Sequence, residues 1–136
     1  MTYLLDVNAL LAFGIFDHEF HERVAGWILG LRSKGILKLA TCSITEIGFV
    51  RIVGQTPRYR FTTAEARSLL LQIKRQDAPV FTFIPDFNDI ALLPGWVRSP
   101  KQVTDGHLLQ LAKANNAVLA TLDRKIPGAF LIPEGS

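Results

Sequence analysis

One cysteine, Cys42, is all the thiol chemistry this 136-residue chain contains. That excludes an internal disulfide and a zinc cluster built on spaced cysteines, and it points to the reducing cytoplasm. Histidine is scarce as well. His18 and His21 are three residues apart, but no third ligand accompanies them, so the pair is read as surface or packing residues. No apolar run approaches the ~20 residues that a membrane-spanning helix requires. The apolar stretch from Leu4 to Phe16 is broken by Asp6 and Asn8, and no Lys or Arg precedes Arg23. It therefore lacks the form of a signal peptide, and a first strand beginning almost at Met1 is expected. Repeats, low-complexity tracts and linkers are also missing, so residues 1–136 read as one domain.

Charge and apolar content are what the chain does have. With 49% hydrophobic and 20% charged residues it belongs among globular proteins. The net charge of +3 conceals an uneven distribution. Four of the twelve acids, Asp6, Glu46, Asp105 and Asp123, are candidates for one pocket; without them eight acids face fifteen basic residues. A basic surface around an acidic pocket suits a polyanionic substrate.

Periodicity predicts alternating strands and helices. Thr2 to Leu5 is a short apolar run ending at Asp6, read as a buried strand, with a helix over Asn8 to Ile15. Apolar residues at three- and four-residue steps (Phe20, Val24, Trp27, Ile28, Leu31) predict a helix from Glu19 to Arg32. A strand is expected over Ile36 to Thr41. Ser43-Ile44-Thr45-Glu46 has the form of a capping box opening the next helix. Thr63 is the expected cap of a helix carrying Leu69, Leu70 and Ile73, and Val80 to Ile84 the third strand. Pro85, Pro94, Gly95 and Pro100 break up the stretch that follows, with one helical turn near Asp89. Thr104 is expected to cap a helix through Asn115. Ala117 to Thr121 is the fourth strand and Phe130 to Ile132 a short fifth. The fold class is α/β, a parallel sheet of four or five strands with helices on both faces.

Such sheets carry their sites at the carboxyl ends of the strands, and all four acids fall there. Each has a structural explanation. Glu46 could complete the capping box, Asp105 could complement a helix dipole, Asp6 could cap a helix and Asp123 could serve a turn. Four together at one edge are harder to explain that way. Two unit charges about 5 Å apart repel by roughly 3 kcal/mol at an effective dielectric near 20. A cation relieves that cost, and all-oxygen ligands favour magnesium or manganese. Metal held by carboxylates aligns phosphate and generates hydroxide, so phosphodiester hydrolysis is the chemistry that fits.

The same residues carry a family likeness. Leu4-Leu5-Asp6-Val7-Asn8, Thr45-Glu46-Ile47-Gly48-Phe49-Val50-Arg51, Thr104-Asp105-Gly106-His107-Leu108-Leu109 and Ala120-Thr121-Leu122-Asp123-Arg124 resemble the successive motifs of PIN-domain nucleases. Asp17-His18-Glu19-Phe20-His21 and Thr56-Pro57-Arg58, leading into Thr63-Ala64-Glu65-Ala66, extend the likeness to the VapC toxins of VapBC modules. Only Pro85 to Lys101 is poorly anchored. The resemblance implies a Mg2+- or Mn2+-dependent endoribonuclease, a homodimer, and a cognate VapB-like antitoxin as partner. Carried over by position, Asp6, Glu46, Asp105 and Asp123 would be the acidic, metal-binding site, with Asn8 and Thr121 in support.

Contacts to RNA are expected first from Arg124 and Lys125, which adjoin Asp123. Arg58 and Arg60, interleaved with Tyr59 and Phe61, are a second candidate, a suitable grip for phosphates and unstacked bases. Trp27, Phe49 and Trp96 read as core or dimer residues. Two rival hydrolytic or signalling folds fail on one position each. A haloacid-dehalogenase-like phosphatase wants a second acid two residues after the first, where Asn8 stands, and a receiver domain wants an adjacent acidic pair. A nuclease acting on DNA, or an RNA-binding protein without cleavage, remains the alternative.

Overall fold

The computed structural model describes residues 1–35 and 37–135. Five parallel strands form one sheet: β1 (Thr2–Leu5), β2 (Lys38–Thr41), β3 (Val80–Phe83), β4 (Ala117–Thr121) and β5 (Phe130–Leu131), in the order β3-β2-β1-β4-β5. The helices are α1 (Val7–Gly14), α2 (His21–Ser33), α3 (Ser43–Gln55), α4 (Thr63–Lys74) and α5 (Val103–Ala114). The expected α/β architecture is thus present, with Ile36, the expected first residue of β2, outside the described residues. No helix among the described residues is long and apolar enough to cross a membrane.

Alternation along each strand sorts side chains between two cores. Leu5, Leu39 and Ala120 pack with α1, α2, α3 and α4 on one face. Their neighbours Leu4, Ala40 and Leu119 pack with Leu108, Leu111 and Ala112 of α5 on the other. Phe49 is fully buried, Trp27 meets Tyr3 edge-on at 5.0 Å and stacks on Phe130, and Trp96 packs against the α5 core. All three aromatics therefore serve packing, as expected.

β1 is central, and the order in which strands are added reverses around it. Its Leu4 pairs with Ala40 of β2 on one side and with Leu119 of β4 on the other. Beyond the carboxyl end of β1 lies the switch point where open α/β sheets place ligands. Asp6 stands there.

Several helix starts differ from expectation, for local hydrogen-bonding reasons. Cys42, not Ser43, is the N-cap of α3, and the Thr45 hydroxyl accepts the Cys42 N–H at 3.0 Å. Thr45, rather than Glu46, therefore completes that box, and the structural explanation for Glu46 falls away. Thr62, not Thr63, caps α4: its hydroxyl accepts from Glu65 N, while Glu65 accepts from Thr62 N at 2.9 Å. Thr104 lies inside α5, whose N-cap is Gln102. Asp89 does cap a single 3-10 turn, Ile90–Leu92.

Two glycines bring helices close to the switch point. A Cβ on Gly48 would stand 2.8 Å from Val7 Cγ2, so its absence lets α3 lie against the start of α1. A Cβ on Gly106 would stand 2.3 Å from Val97 Cγ2, so α5 meets the proline-interrupted segment there.

Candidate active site

Asp6 is built into the backbone from both sides. It is the N-cap of α1, where Oδ1 accepts the Ala9 N–H at 2.8 Å. Its Oδ2 accepts the Thr121 hydroxyl at 2.5 Å, from the last residue of the adjacent strand β4. That hydroxyl oxygen accepts the Asp123 N–H at 2.9 Å, and Asp123 Oδ1 in turn accepts the Lys125 N–H at 2.8 Å. Thr121 thus ties Asp6 to the turn that carries Asp123. Capping and site-building are not rival roles for Asp6, because one carboxylate has two oxygens and performs both.

The electrostatics of this half are unbalanced. Asp6 is only 5% exposed, and burial lifts its pKa to about 6 against the pull of its hydrogen bonds, with Asp105 and Asp123 raising it further. Burial and the Asp123 charge raise the pKa of Asp105, which is partly buried in the first turn of α5. Asp6, just after β1, thus feels the charges of Asp105 and Asp123, and Asp105 feels that of Asp123. Among the described residues no ion pair involves Asp6 or Asp105.

Glu46 lies at the same edge but keeps different company. Thr41, the last residue of β2, donates its hydroxyl to Glu46 Oε2 at 2.5 Å, and Lys74 Nζ donates to the same oxygen at 2.6 Å. Glu46 borders a groove of about 670 Å³ between α3 and α4, lined also by Ile47, Leu70 and Leu71 beside Arg51 and Arg67. Asn8 is exposed and lines a neighbouring hollow with Ile44, Ile47 and Thr104, and it holds none of the acids.

The basic candidates separate. Arg124 and Lys125 flank Asp123 and are exposed, with Arg124 in a long 3.5 Å surface pair with Glu134. Arg58 sits beyond the far end of α3 from Glu46, roughly 13 Å of helix away at 1.5 Å per residue. There it donates to the Asp17 carbonyl at 2.7 Å and lies over the Tyr59 ring, while Arg60 adopts the left-handed conformation at φ 58°.

Two contacts escaped sequence reasoning. Lys74 gave no signal beyond a basic residue in a last helical turn. Thr41 did leave one: Leu39-Ala40-Thr41 repeats Leu119-Ala120-Thr121 on the two strands flanking β1. His107, two residues past Asp105, faces away from it and pairs with Asp86. Burial of Asp86 is outweighed by that bond and by the Asn88 N–H, so its pKa is lowered. This pair fastens the segment after β3 that sequence reasoning left poorly anchored.

Do these residues suit a metal? Among the described residues no three His, Cys, Asp or Glu side chains are gathered closely enough to hold an ion as they stand. The donors are nonetheless hard, anionic and uncompensated at the aspartates. Mg2+ retains several waters and commonly uses only one or two carboxylates. The chemistry of the donor set therefore fits such an ion at Asp6, Asp105 and Asp123.

The sequence matches the PIN domain over residues 3–129. The chain belongs to the PIN-domain family. Among its relatives, Ribonuclease VapC44 of Mycobacterium tuberculosis is 37% identical over 95% of this chain and 94% of its own length. Ribonuclease VapC38 of the same species is 35% identical over 88% and 84% respectively. In fold the chain is similar to VapBC2 from Rickettsia felis, solved bound to a DNA fragment from its promoter. That match has a TM-score of 0.62 and 20% identity, and covers 96% of this chain and 97% of the other. PIN membership accounts for the parallel α/β sheet.

Proposed function

We propose that this PIN domain is a divalent-metal-dependent endoribonuclease and the toxin of a type II toxin–antitoxin pair. The observation that carries the reading is Asp6. A carboxylate buried to 5% exposure, with Asp105 and Asp123 raising its pKa further, is an expensive arrangement unless a cation joins it. The similarity to VapC ribonucleases over nearly the whole chain supports the same reading.

Asp6, Asp105 and Asp123 would hold the metal, Mg2+ or Mn2+. When bound, the ion supplies charge for aligning the phosphodiester and lowering the pKa of water. The chain's own residues do the rest. Thr121 fixes the rotamer of Asp6 and the backbone of Asp123, so the carboxylates keep their places as charge changes around them. Arg124 and Lys125, beside Asp123, offer phosphate contacts at the mouth of this half. Arg58 and Arg60 would meet RNA only on a path that runs the length of α3. Asn8, exposed at the start of α1, supports the site by facing incoming substrate rather than by holding an acid.

The partners that follow are an RNA substrate, a cognate VapB-like antitoxin and a second copy of the chain in a homodimer. An antitoxin segment with a basic residue would neutralise the aspartates directly, because none of them is ion-paired among the described residues. The purified chain should cut RNA in the presence of Mn2+ and lose that activity with chelator or with Asp6→Asn. Equal cutting of single-stranded DNA would turn the reading toward a general nuclease. Binding of RNA without cleavage in any metal would leave a sequestering protein.

A further inference from the structure

Lys74 closes α4, and a cation in a last turn already has a structural use against the helix dipole. Its surroundings go beyond that use. The ammonium and the Thr41 hydroxyl converge on one oxygen of Glu46, Oε2, and among the described residues no donor reaches Oε1. The ammonium also lies 5.4 Å from the centre of the Phe83 ring, a favourable place for a cation. Lys74 and Glu46 are only 24% and 23% exposed. Exposed pairs contribute little because ordering two long side chains offsets a screened attraction. Here a fully buried threonine, a ring and partial burial restrict both partners.

Thr41 ends β2 one residue beyond Ala40, the partner of Leu4, so this pair stands at the same carboxyl edge of the sheet where Asp6 follows β1. Among the described residues no ion pair reaches Asp6, Asp105 or Asp123 at this edge, whereas Glu46 has one of its own.

We propose that Lys74 is a positioning residue of the nuclease site that takes Glu46 out of the metal-ligand set. Metal is left to Asp6, Asp105 and Asp123. Glu46 is held by Oε2 and keeps Oε1 as an acceptor for a water or an RNA hydroxyl. The inference rests on the metal-nuclease reading above and departs from the family likeness, which would count Glu46 among the ligands.

The test is Mn2+ binding to the full chain by titration calorimetry, independent of cleavage. Glu46→Gln should bind Mn2+ within about threefold of wild type, while Asp6→Asn should lose tenfold or more, the scale on which metal sites respond to lost support. Lys74→Met frees Glu46 and should tighten Mn2+ binding about tenfold or add a second ion per chain. Lys74→Arg should restore wild-type binding, and adding Glu46→Gln to Lys74→Met should cancel the gain, because the effect runs through Glu46. Loss of Mn2+ affinity in Glu46→Gln as large as in Asp6→Asn would overturn the role of Lys74 and leave the nuclease reading standing. Wild-type Mn2+ binding by Asp6→Asn would instead bring down the metal site itself, and the assignment of Lys74 with it. The Glu46→Gln comparison keeps Lys74 intact, so it decides even if Lys74→Met does not fold.

Discussion

The two sides of β1 use one device to opposite electrostatic effect. On the β4 side, Thr121 ends its strand and donates to Asp6; on the β2 side, Thr41 ends its strand and donates to Glu46. Both hydroxyls fix a carboxylate at the same edge of the sheet. Asp6 then faces two more aspartates, whereas Glu46 faces Lys74. A hydrogen-bonded acid at a strand end is therefore not enough to mark a cation site. The balance of charge around it decides, and only the aspartate half is left in need of an external cation.

The largest expected effect breaks the aspartate half outright. Asp6→Asn should abolish RNA cleavage while preserving the α1 cap, since Asn caps nearly as well as Asp. It should also change stability with pH. The Asp6 pKa is raised from 3.8 to about 6, so the folded state binds this proton more tightly than the unfolded chain. The stabilising contribution is complete below about pH 4 and is lost as pH rises through 6. At neutral pH the metal-free protein then carries a penalty of about 3 kcal/mol, which Asn removes. Thermal melts of metal-free wild type between pH 5 and 7.5 should fall with rising pH more steeply than those of Asp6→Asn. Parallel curves would mean that Asp6 is not the strained group. Saturating Mn2+, at a hundred times its dissociation constant, should stabilise wild type by about 2.7 kcal/mol and the variant far less.

The paired threonines offer a sharper comparison. Thr121→Val strips a hydroxyl from Asp6 and an acceptor from the Asp123 N–H, so a loss of about 1–3 kcal/mol is expected. Thr41→Val leaves Glu46 its ammonium and should cost less. Denaturant melts of the two variants would rank them, and equal losses would erase the asymmetry between the halves.

Gly48 tests how closely the halves must lie. Gly48→Ala places a methyl against Val7 and should cost about 1–3 kcal/mol of stability, recovered in part by Val7→Ala. Full stability in the single variant would show that α3 and α1 are free to separate. The smallest effect concerns the rim: Arg124→Ala with Lys125→Ala should weaken RNA binding and flatten its log–log salt slope by roughly one unit for each phosphate no longer neutralised. An unchanged slope, measured by binding titrations at several salt concentrations, would move the RNA path away from the aspartate half.

Element order and the position of four acids at the sheet's carboxyl edge were legible in the sequence, because burial imposes periods of two and 3.6 on apolar residues and because parallel sheets end their strands at one edge. Helix starts were legible only to within two residues. Ser43 and Cys42 both precede an apolar run, and the choice depended on which backbone N–H the Thr45 hydroxyl could accept. The segment from Pro85 to Lys101 was opaque because its anchor, Asp86 on His107, spans 21 residues and follows no local rule.

By itself, the sequence determined the α/β layers of this protein and the placement of Asp6, Glu46, Asp105 and Asp123 at the carboxyl edge of the sheet, since those follow from patterning and from where parallel sheets end their strands. The tertiary structure alone decided which acids share a charge problem. Lys74 is 28 residues from Glu46, and only the packing of α4 against α3 brings its ammonium to the glutamate and not to the aspartates. Charge neutralisation depends on distance in space, which no spacing along the chain encodes.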